Sequence, residues 1–210
     1  MRRLPLFSGL LLILTLPALC RAAGPVEKIR NEQVVVMQQT LAPGESLAGA
    51  GEHPRVLVYV DAGTIEPGST GSKPQTVKKG ESIFQAARSG GVRNAGSADL
   101  RIVWVEFPGK GGAETWGTTG LAPNYKLLFE NNYARVYDIK MAAGGSEPQH
   151  THHARIVVCL SGAELEHEMP DGRRENSSLK TDEIAWRGAA THVGHNLGKT
   201  DLWVIAIEPK

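Results

Sequence analysis

The sequence predicts an all-β protein built from two copies of one unit. Short apolar or alternating stretches recur between turn residues, at 34–37, 56–60, 63–65, 102–107, 134–141, 156–160, 163–169 and 202–207. Val, Ile, Tyr and Trp dominate these stretches, as is typical of β-strands. Beyond the N-terminal segment, no apolar stripe of helical spacing reaches 12 residues.

The duplication is visible when the sequence is displaced by 100 residues. Residues 41–58 then align with 141–158, and after one loop of different length residues 81–106 align with 183–208 at an offset of 102. The repeat divides the 210 residues into two units of roughly 80 to 90 residues each. Because so small a unit buries little apolar surface alone, we expect the two units to pack against each other.

The N-terminal residues 1–23 are interpreted as a secretory signal peptide. Two arginines precede the apolar run Leu4–Leu19, and small residues follow it directly before Gly24. This run is short for a permanent membrane span, and the small residues suit a signal peptidase. We therefore expect a periplasmic or secreted protein whose mature chain begins close to Gly24 and is not held in a membrane.

The mature chain is divided into a first unit over 24–108, a glycine-rich linker over 109–123 and a second unit over 124–210. The stretches 56–60 and 156–160 are apolar at every position, so both faces of these strands should be covered. A contact between the units would cover them within a monomer, and a homodimer would cover them between chains.

Charge and cysteine content exclude some functions. The formal charge is +1 without a long run of either sign, which argues against nucleic-acid binding and against a polybasic membrane surface. After signal cleavage, Cys159 is the one remaining cysteine, and its apolar neighbours predict a buried free thiol.

Three histidines of the second unit predict a metal site. His150 and His152 are two residues apart, so on a strand their side chains share a face about 6.6 Å apart. His192, from a distant strand, would complete the set. Neutral imidazole is a ligand for divalent Fe, Zn, Ni, Cu or Mn, and three ligands leave positions open for water or substrate. The first copy carries Ala50, Glu52 and Gly90 at the matching places.

The residues around these histidines resemble the cupin superfamily. Gly145, His150-Thr-His152 and Gly162 resemble the first cupin motif, and residues 187–196, with His192 followed by Asn196, resemble the second. The resemblance covers about 30–108 and 124–208 and implies a bicupin, two antiparallel jelly-roll barrels in tandem with a degenerate first copy. It further implies His150, His152 and His192 as ligands of one divalent metal, and a dioxygenase-like or isomerase-like activity on a small molecule.

Two departures from the cupin motifs stand out. Arg155 occupies the place of the first motif's glutamate, and a guanidinium has no lone pair for a metal. In the second motif, Arg187 replaces a proline and Ala189 a glycine. If Arg155 points inward, it would bind an anionic substrate through two parallel hydrogen bonds, which resembles three-histidine iron cupins that oxidise thiols. If it points outward, it forms a structural salt bridge, and strand alternation from His152 favours this orientation unless a bulge intervenes.

The remaining polar side chains near the site receive structural roles. His153 is out of phase with His152, and His195 is expected at the surface or as a hydrogen-bonding partner of the site. The acidic residues at 164, 166 and 168 alternate with apolar ones and should face solvent. The sequence singles out no catalytic side chain and no organic cofactor. The alternative function is therefore a non-catalytic ligand-binding or structural cupin module without metal.

Overall fold

The structure, a computed structural model, describes residues 24–68 and 72–210, so the signal peptide predicted at 1–23 lies outside the described residues. All regular secondary structure in these ranges is β-strand. The same ranges contain no helix long and apolar enough to cross a membrane. The first nine strands are β1 (Val26–Arg30), β2 (Val35–Leu41), β3 (Ser46–Leu47), β4 (Arg55–Tyr59), β5 (Gly63–Pro67), β6 (Gln75–Val77), β7 (Ser82–Gln85), β8 (Val92–Asn94) and β9 (Leu100–Glu106).

Nine further strands follow the connecting segment. They are β10 (Tyr125–Glu130), β11 (Ala134–Met141), β12 (Ser146–His152), β13 (Arg155–Ser161), β14 (Ala163–Glu168), β15 (Arg174–Leu179), β16 (Ile184–Arg187), β17 (Ala190–Asn196) and β18 (Leu202–Pro209). Each strand of the second set corresponds to the strand nine places earlier in the first.

The two sets have the same topology. Strands β1–β9 form a five-stranded sheet in the order β1-β2-β9-β4-β7 and a four-stranded sheet in the order β3-β8-β5-β6. Strands β10–β18 form the sheets β10-β11-β18-β13-β16 and β12-β17-β14-β15. All strand pairs within these sheets are antiparallel, and each pair of sheets encloses its own apolar core. The predicted all-β fold of two antiparallel jelly-roll barrels is confirmed.

The five-stranded sheets pack against each other through a shared apolar cluster. Val56 and Val58 of β4 meet Ile156 and Val158 of β13 in this cluster, and all four side chains are at most 2% exposed. Val157, between them, points into the second barrel instead. The fully apolar stretches of the sequence are therefore covered on one face by a barrel interior and on the other by the sister barrel, as expected.

Polar contacts accompany this interface. Arg101 of the first barrel pairs with Asp61 of its own barrel and with Asp182 of the second, in each case with a nitrogen–oxygen distance of 2.7 Å. Phe84 stacks on Tyr133 of the second barrel with ring centroids 5.8 Å apart. The two barrels are thus joined by apolar, ionic and aromatic contacts within one chain.

The glycine-rich connection over 109–123 is attached to the second barrel. The backbone N–H groups of Trp116 and Gly117 donate to the carboxylate of Glu130 at 2.6 and 2.7 Å. The Trp116 ring stacks on His153 at a centroid distance of 3.9 Å, and Ala122 is buried in the core of that barrel. His153 thus packs on the connection and lies outside the histidine cluster.

Candidate metal centre

The second barrel brings His150, His152 and His192 together on the inner face of its four-stranded sheet. His150 of β12 and His192 of β17 are direct cross-strand partners, and His152 lies two residues further along β12. The ligand nitrogens of the three side chains lie within 4.8 Å of one another, and each residue is at most 5% exposed. The three residues singled out from the sequence therefore form one buried cluster.

Hydrogen bonds to the backbone set the tautomers of two of these rings. Nδ1 of His150 lies 3.0 Å from the carbonyl oxygen of Pro148, and Nδ1 of His152 lies 3.0 Å from that of His153. Because a carbonyl oxygen can only accept, each Nδ1 carries a proton, and in the neutral ring Nε2 is then the nitrogen with a lone pair for a metal. Backbone acceptors of this kind also orient histidines that bind metals.

Burial keeps two of the three rings, His152 and His192, neutral. Burial, followed by the charge of Arg155, lowers the pKa of His152 to about 2. Burial, together with the nearby His167 and His150, lowers the pKa of His192 to about 3. A metal requires the neutral imidazole, so His152 and His192 can bind a divalent transition metal near neutral pH without first losing protons.

Glu147 and Tyr125 extend the cluster on the side of His150. A register shift in the pairing of β12 with β17 separates Glu147 from His150, so that residues 147, 150 and 152 all face inward. The Tyr125 hydroxyl lies 2.9 Å from Nε2 of His150 and 3.2 Å from Oε1 of Glu147. Burial raises the pKa of Tyr125 well above its ordinary value, so the hydroxyl keeps its proton. Glu147 thus supplies a carboxylate, with Oε1 3.5 Å from Nε2 of His150.

Gly194 makes room for that carboxylate. It is the cross-strand partner of Glu147, and a Cβ atom added to Gly194 would lie 2.5 Å from Oε1 of Glu147. No side chain larger than hydrogen fits there unless the Glu147 side chain shifts.

A fourth histidine, His167, belongs to the same cavity. Its ring centroid lies 4.5 Å from that of His192, and it shares the inner face of β14 with Leu165. Burial lowers the pKa of His167, although Glu147 opposes the shift. His167 is not among the residues predicted from the sequence, because only the glutamates of this strand were interpreted. Two features of the sequence could have indicated it. His167 shares its strand face with Leu165 and Met169, and the first copy has Pro67 instead of a histidine at the aligned position.

The other polar side chains near the cluster are on the outside. Glu164 is exposed, whereas Glu166 and Glu168 form ion pairs with Arg174 on the outer face of the sheet. His195 is half-buried on the face of β17 opposite to His192. None of these residues contributes an atom to the histidine cluster.

Arg155 points into the cavity, so the expectation of an outward orientation was wrong. Strand β12 ends at His152 and β13 begins at Arg155 in the opposite sheet, and the two intervening residues break the alternation on which that expectation relied. The residue is 8% exposed, and within the described part of the chain its Nε and Nη1 atoms have no hydrogen-bond partner. Arg155 therefore presents an unsatisfied, permanently charged donor to the cavity.

The cavity between the two sheets has a volume of about 280 Å³. Its polar lining consists of Tyr125, Glu147, His152, Arg155, His167, Ser177, Arg187 and His192. Its apolar lining includes Ile139, Met141, Val157, Leu165, Met169, Leu179, Leu202 and Val204. An apolar cavity with a few convergent polar groups is the usual form of a small-molecule site.

Together, the fold and the cluster define a two-barrel β-protein with a histidine-lined cavity in its second barrel. The fold is that of the cupins. One similar solved structure is a cupin 2 conserved barrel domain protein from Leptotrichia buccalis, with 15% identity over 89% of this chain and 88% of that chain and a TM-score of 0.57.

Two similar structures are of enzymes. A variant of salicylate 1,2-dioxygenase from Pseudoaminobacter salicylatoxidans is 10% identical over 83% of this chain and 71% of that chain, with a TM-score of 0.56. A variant of oxalate decarboxylase from Bacillus subtilis is 12% identical over 84% and 69%, with a TM-score of 0.54. By sequence, neither a protein-family model nor a curated protein matches the chain.

Proposed function

We propose that this protein binds one divalent transition metal through His150, His152 and His192 and acts on a small anionic molecule beside it. A buried cluster of three imidazoles, next to a cavity lined by Arg155 with two unsatisfied nitrogens, supports this proposal. A bound ion would supply Lewis-acid or oxygen-activating chemistry. The reaction we favour is a dioxygenase-like oxidation, and an isomerase-like rearrangement is the alternative at the same site.

The side chains around the cluster have distinct roles in this proposal. Arg155 would hold a carboxylate of the substrate through paired N–H···O bonds, which fixes the orientation of the molecule. Tyr125 holds a proton at its hydroxyl oxygen between Glu147 and His150. His167 is neutral near pH 7 because burial lowers its pKa, and it can accept a proton inside the cavity. Apolar side chains line the rest of the cavity around these groups.

Elemental analysis of tag-free protein tests the metal proposal. After incubation with Fe, Zn, Ni, Cu or Mn and removal of free ions, we expect roughly one ion per chain. A His150→Ala, His152→Ala double variant should lose it, whereas a control variant of the exposed His53 in the first barrel should retain it. Equal metal content in the double variant and the wild type, or no ion in either, would contradict the proposal.

A metal-free binding module is the second candidate, and one contact favours it. The Tyr125 hydroxyl, 2.9 Å from Nε2 of His150, is placed to donate to the lone pair that a metal would use. A Tyr125→Phe variant separates the two functions. Metal affinity should stay the same or rise in this variant if the site binds metal. Absence of metal from both the wild type and this variant supports the binding module.

We also propose that the protein is exported to the periplasm or secreted. The signal-like residues 1–23 support this proposal. Intact mass spectrometry of protein recovered from cells that express the full chain should show a mature form that begins close to Gly24. Recovery of the uncleaved chain from the cytoplasm alone would contradict export.

A further inference from the structure

We infer that the cavity of the second barrel selects a small organic dianion, a dicarboxylate, which Arg155 and Arg187 bind together. This inference deepens the proposed function and depends on it only for the presence of a metal beside the ligand. It is carried by the strand register, by a comparison with the first barrel and by the two unsatisfied nitrogens of Arg155.

The register brings two arginines to neighbouring positions on the cavity wall. Arg155 of β13 is the direct cross-strand partner of Arg187 of β16, and both residues line the cavity. Like charges at directly opposite positions destabilise a sheet. A pair of this kind on the wall of a cavity is therefore a ready site for negative charge.

The first barrel shows what this position looks like when it is purely structural. Arg55 aligns with Arg155, and its cross-strand partner is Gln85, which aligns with Arg187. Nε of Arg55 donates to Oε1 of Gln85 at 2.8 Å, and Nη2 donates to the carbonyl oxygen of Ala48 at 2.6 Å. In the second barrel, Arg187, a donor, thus occupies the place of the acceptor Gln85. The result is the pair of buried, unpaired nitrogens on Arg155.

The neighbouring acidic groups leave hydrogen-bond donors of the arginine pair unused. Glu208 attracts Arg155 electrostatically, but its ion pair is with Arg135, with a nitrogen–oxygen distance of 2.5 Å, and Arg155 takes part in no ion pair among residues 24–68 and 72–210. Its guanidinium does interact with Tyr137, a neutral partner. Arg187 contacts Glu183 at 3.2 Å but stays 43% exposed at the mouth of the cavity. Glu147 also lines the cavity, but its oxygens contact Tyr125 and Asn124 on the side of His150.

Charge and spacing together favour a dicarboxylate. Each guanidinium can bind one carboxylate through two parallel hydrogen bonds. Directly paired residues of antiparallel strands have Cβ atoms about 4.5–5.5 Å apart, so two short-spaced carboxylates of one molecule can engage both arginines. The cavity of about 280 Å³ limits the ligand to a small molecule.

Isothermal titration calorimetry on the mature chain, metal-free and metal-loaded, tests the inference. Malonate and succinate are compared with acetate and propionate at equal ionic strength. The second charge-assisted contact should make the dicarboxylates bind about 10- to 100-fold more tightly. Inorganic phosphate and sulfate are titrated in parallel, because they carry negative charge without two separate carboxylates. Both should bind more weakly than succinate.

The variant Arg187→Gln rebuilds the arrangement of Arg55 and Gln85 in the second barrel. It should abolish the preference for dicarboxylates and raise the melting temperature of the ligand-free protein, because the repulsion between the two arginines is removed. The control Arg174→Gln changes an arginine of β15 that does not line the cavity, and it should leave both quantities unchanged. The rise in melting temperature would also show that Arg187→Gln is folded.

Failure of this inference differs from failure of the proposed function. Equal affinity for mono- and dicarboxylates, or a preference that survives in Arg187→Gln, overturns the dianion site even if one metal binds per chain. A dicarboxylate preference in the wild type that is lost in Arg187→Gln supports it, even if no metal binds to the histidines.

Discussion

Replacement of Glu208 by Gln probes a buried charge on β18 that contacts the chain just after β12. Glu208 is fully buried, and its Oε2 lies 2.5 Å from Nη2 and 2.6 Å from Nε of Arg135, which is 1% exposed. Its Oε1 accepts hydrogen bonds from the hydroxyl of Tyr137 at 2.9 Å and from the backbone N–H of His153 at 2.8 Å. The substitution keeps the shape and one acceptor oxygen, so its main effect is removal of the negative charge.

The expected loss of stability depends on the hydrogen bonds that Arg135 keeps in this variant. Breaking a buried ion pair by removing one charge costs about 3–5 kcal/mol. Arg135 still donates to the carbonyl oxygens of Gly117 and Thr119 at 3.2 and 2.9 Å, so we expect the lower end of this range. For a chain of this size, 1 kcal/mol corresponds to about 2–4 °C in melting temperature. Glu208→Gln should therefore melt about 6–12 °C below the wild type.

Thermal and urea denaturation of the mature chain measure this effect. Glu168→Gln is the matched control, because Glu168 pairs with Arg174 on the surface, and its cost should stay within about 0.5 kcal/mol. A double variant, Arg135→Met with Glu208→Leu, removes both charges but leaves the Tyr137 hydroxyl and the His153 N–H without their acceptor, so it should recover only part of the lost stability. If Glu208→Gln has the same melting temperature as the wild type, the ion pair of Arg135 and Glu208 does not stabilise the second barrel.

Three further predictions follow from other contacts. Gly194→Ala should push Glu147 out of the cluster and weaken metal binding about 10- to 100-fold in a metal titration, and unchanged affinity would place Glu147 outside the site. Arg101→Gln should lower the free energy of unfolding by about 0.5–1 kcal/mol at pH 7. The hydrogen bond from Arg101 lowers the pKa of Asp61, so this loss should vanish in denaturation curves as pH falls through that pKa. A loss that does not depend on pH would refute the link. Ile156→Ala should cost about 2–5 kcal/mol in urea unfolding, while the wild type sediments as a monomer because this face is covered within the chain; a stable wild-type dimer would contradict that assignment.

Several features of this protein were determined by the sequence alone because their causes are local or repeated. The strand pattern depends on alternation and turn residues, which neighbouring positions display directly. The repeated asparagines illustrate this, since Asn94 and Asn196 donate from Nδ2 to the carbonyl oxygens of Leu41 and Met141 at equivalent turns. The histidines were found by the opposite signal, because no backbone requirement explains residues that are present in only one of two matching copies.

The tertiary structure alone decided which other side chains surround those histidines. Glu147 joined them through a bulge, and Tyr125 came from a strand of the opposite sheet. Arg155 turned inward because a two-residue break moved the chain from one sheet to the other. Side-chain period on a single strand cannot predict such contacts, because closing two sheets over one cavity depends on strand pairing between residues far apart in the chain.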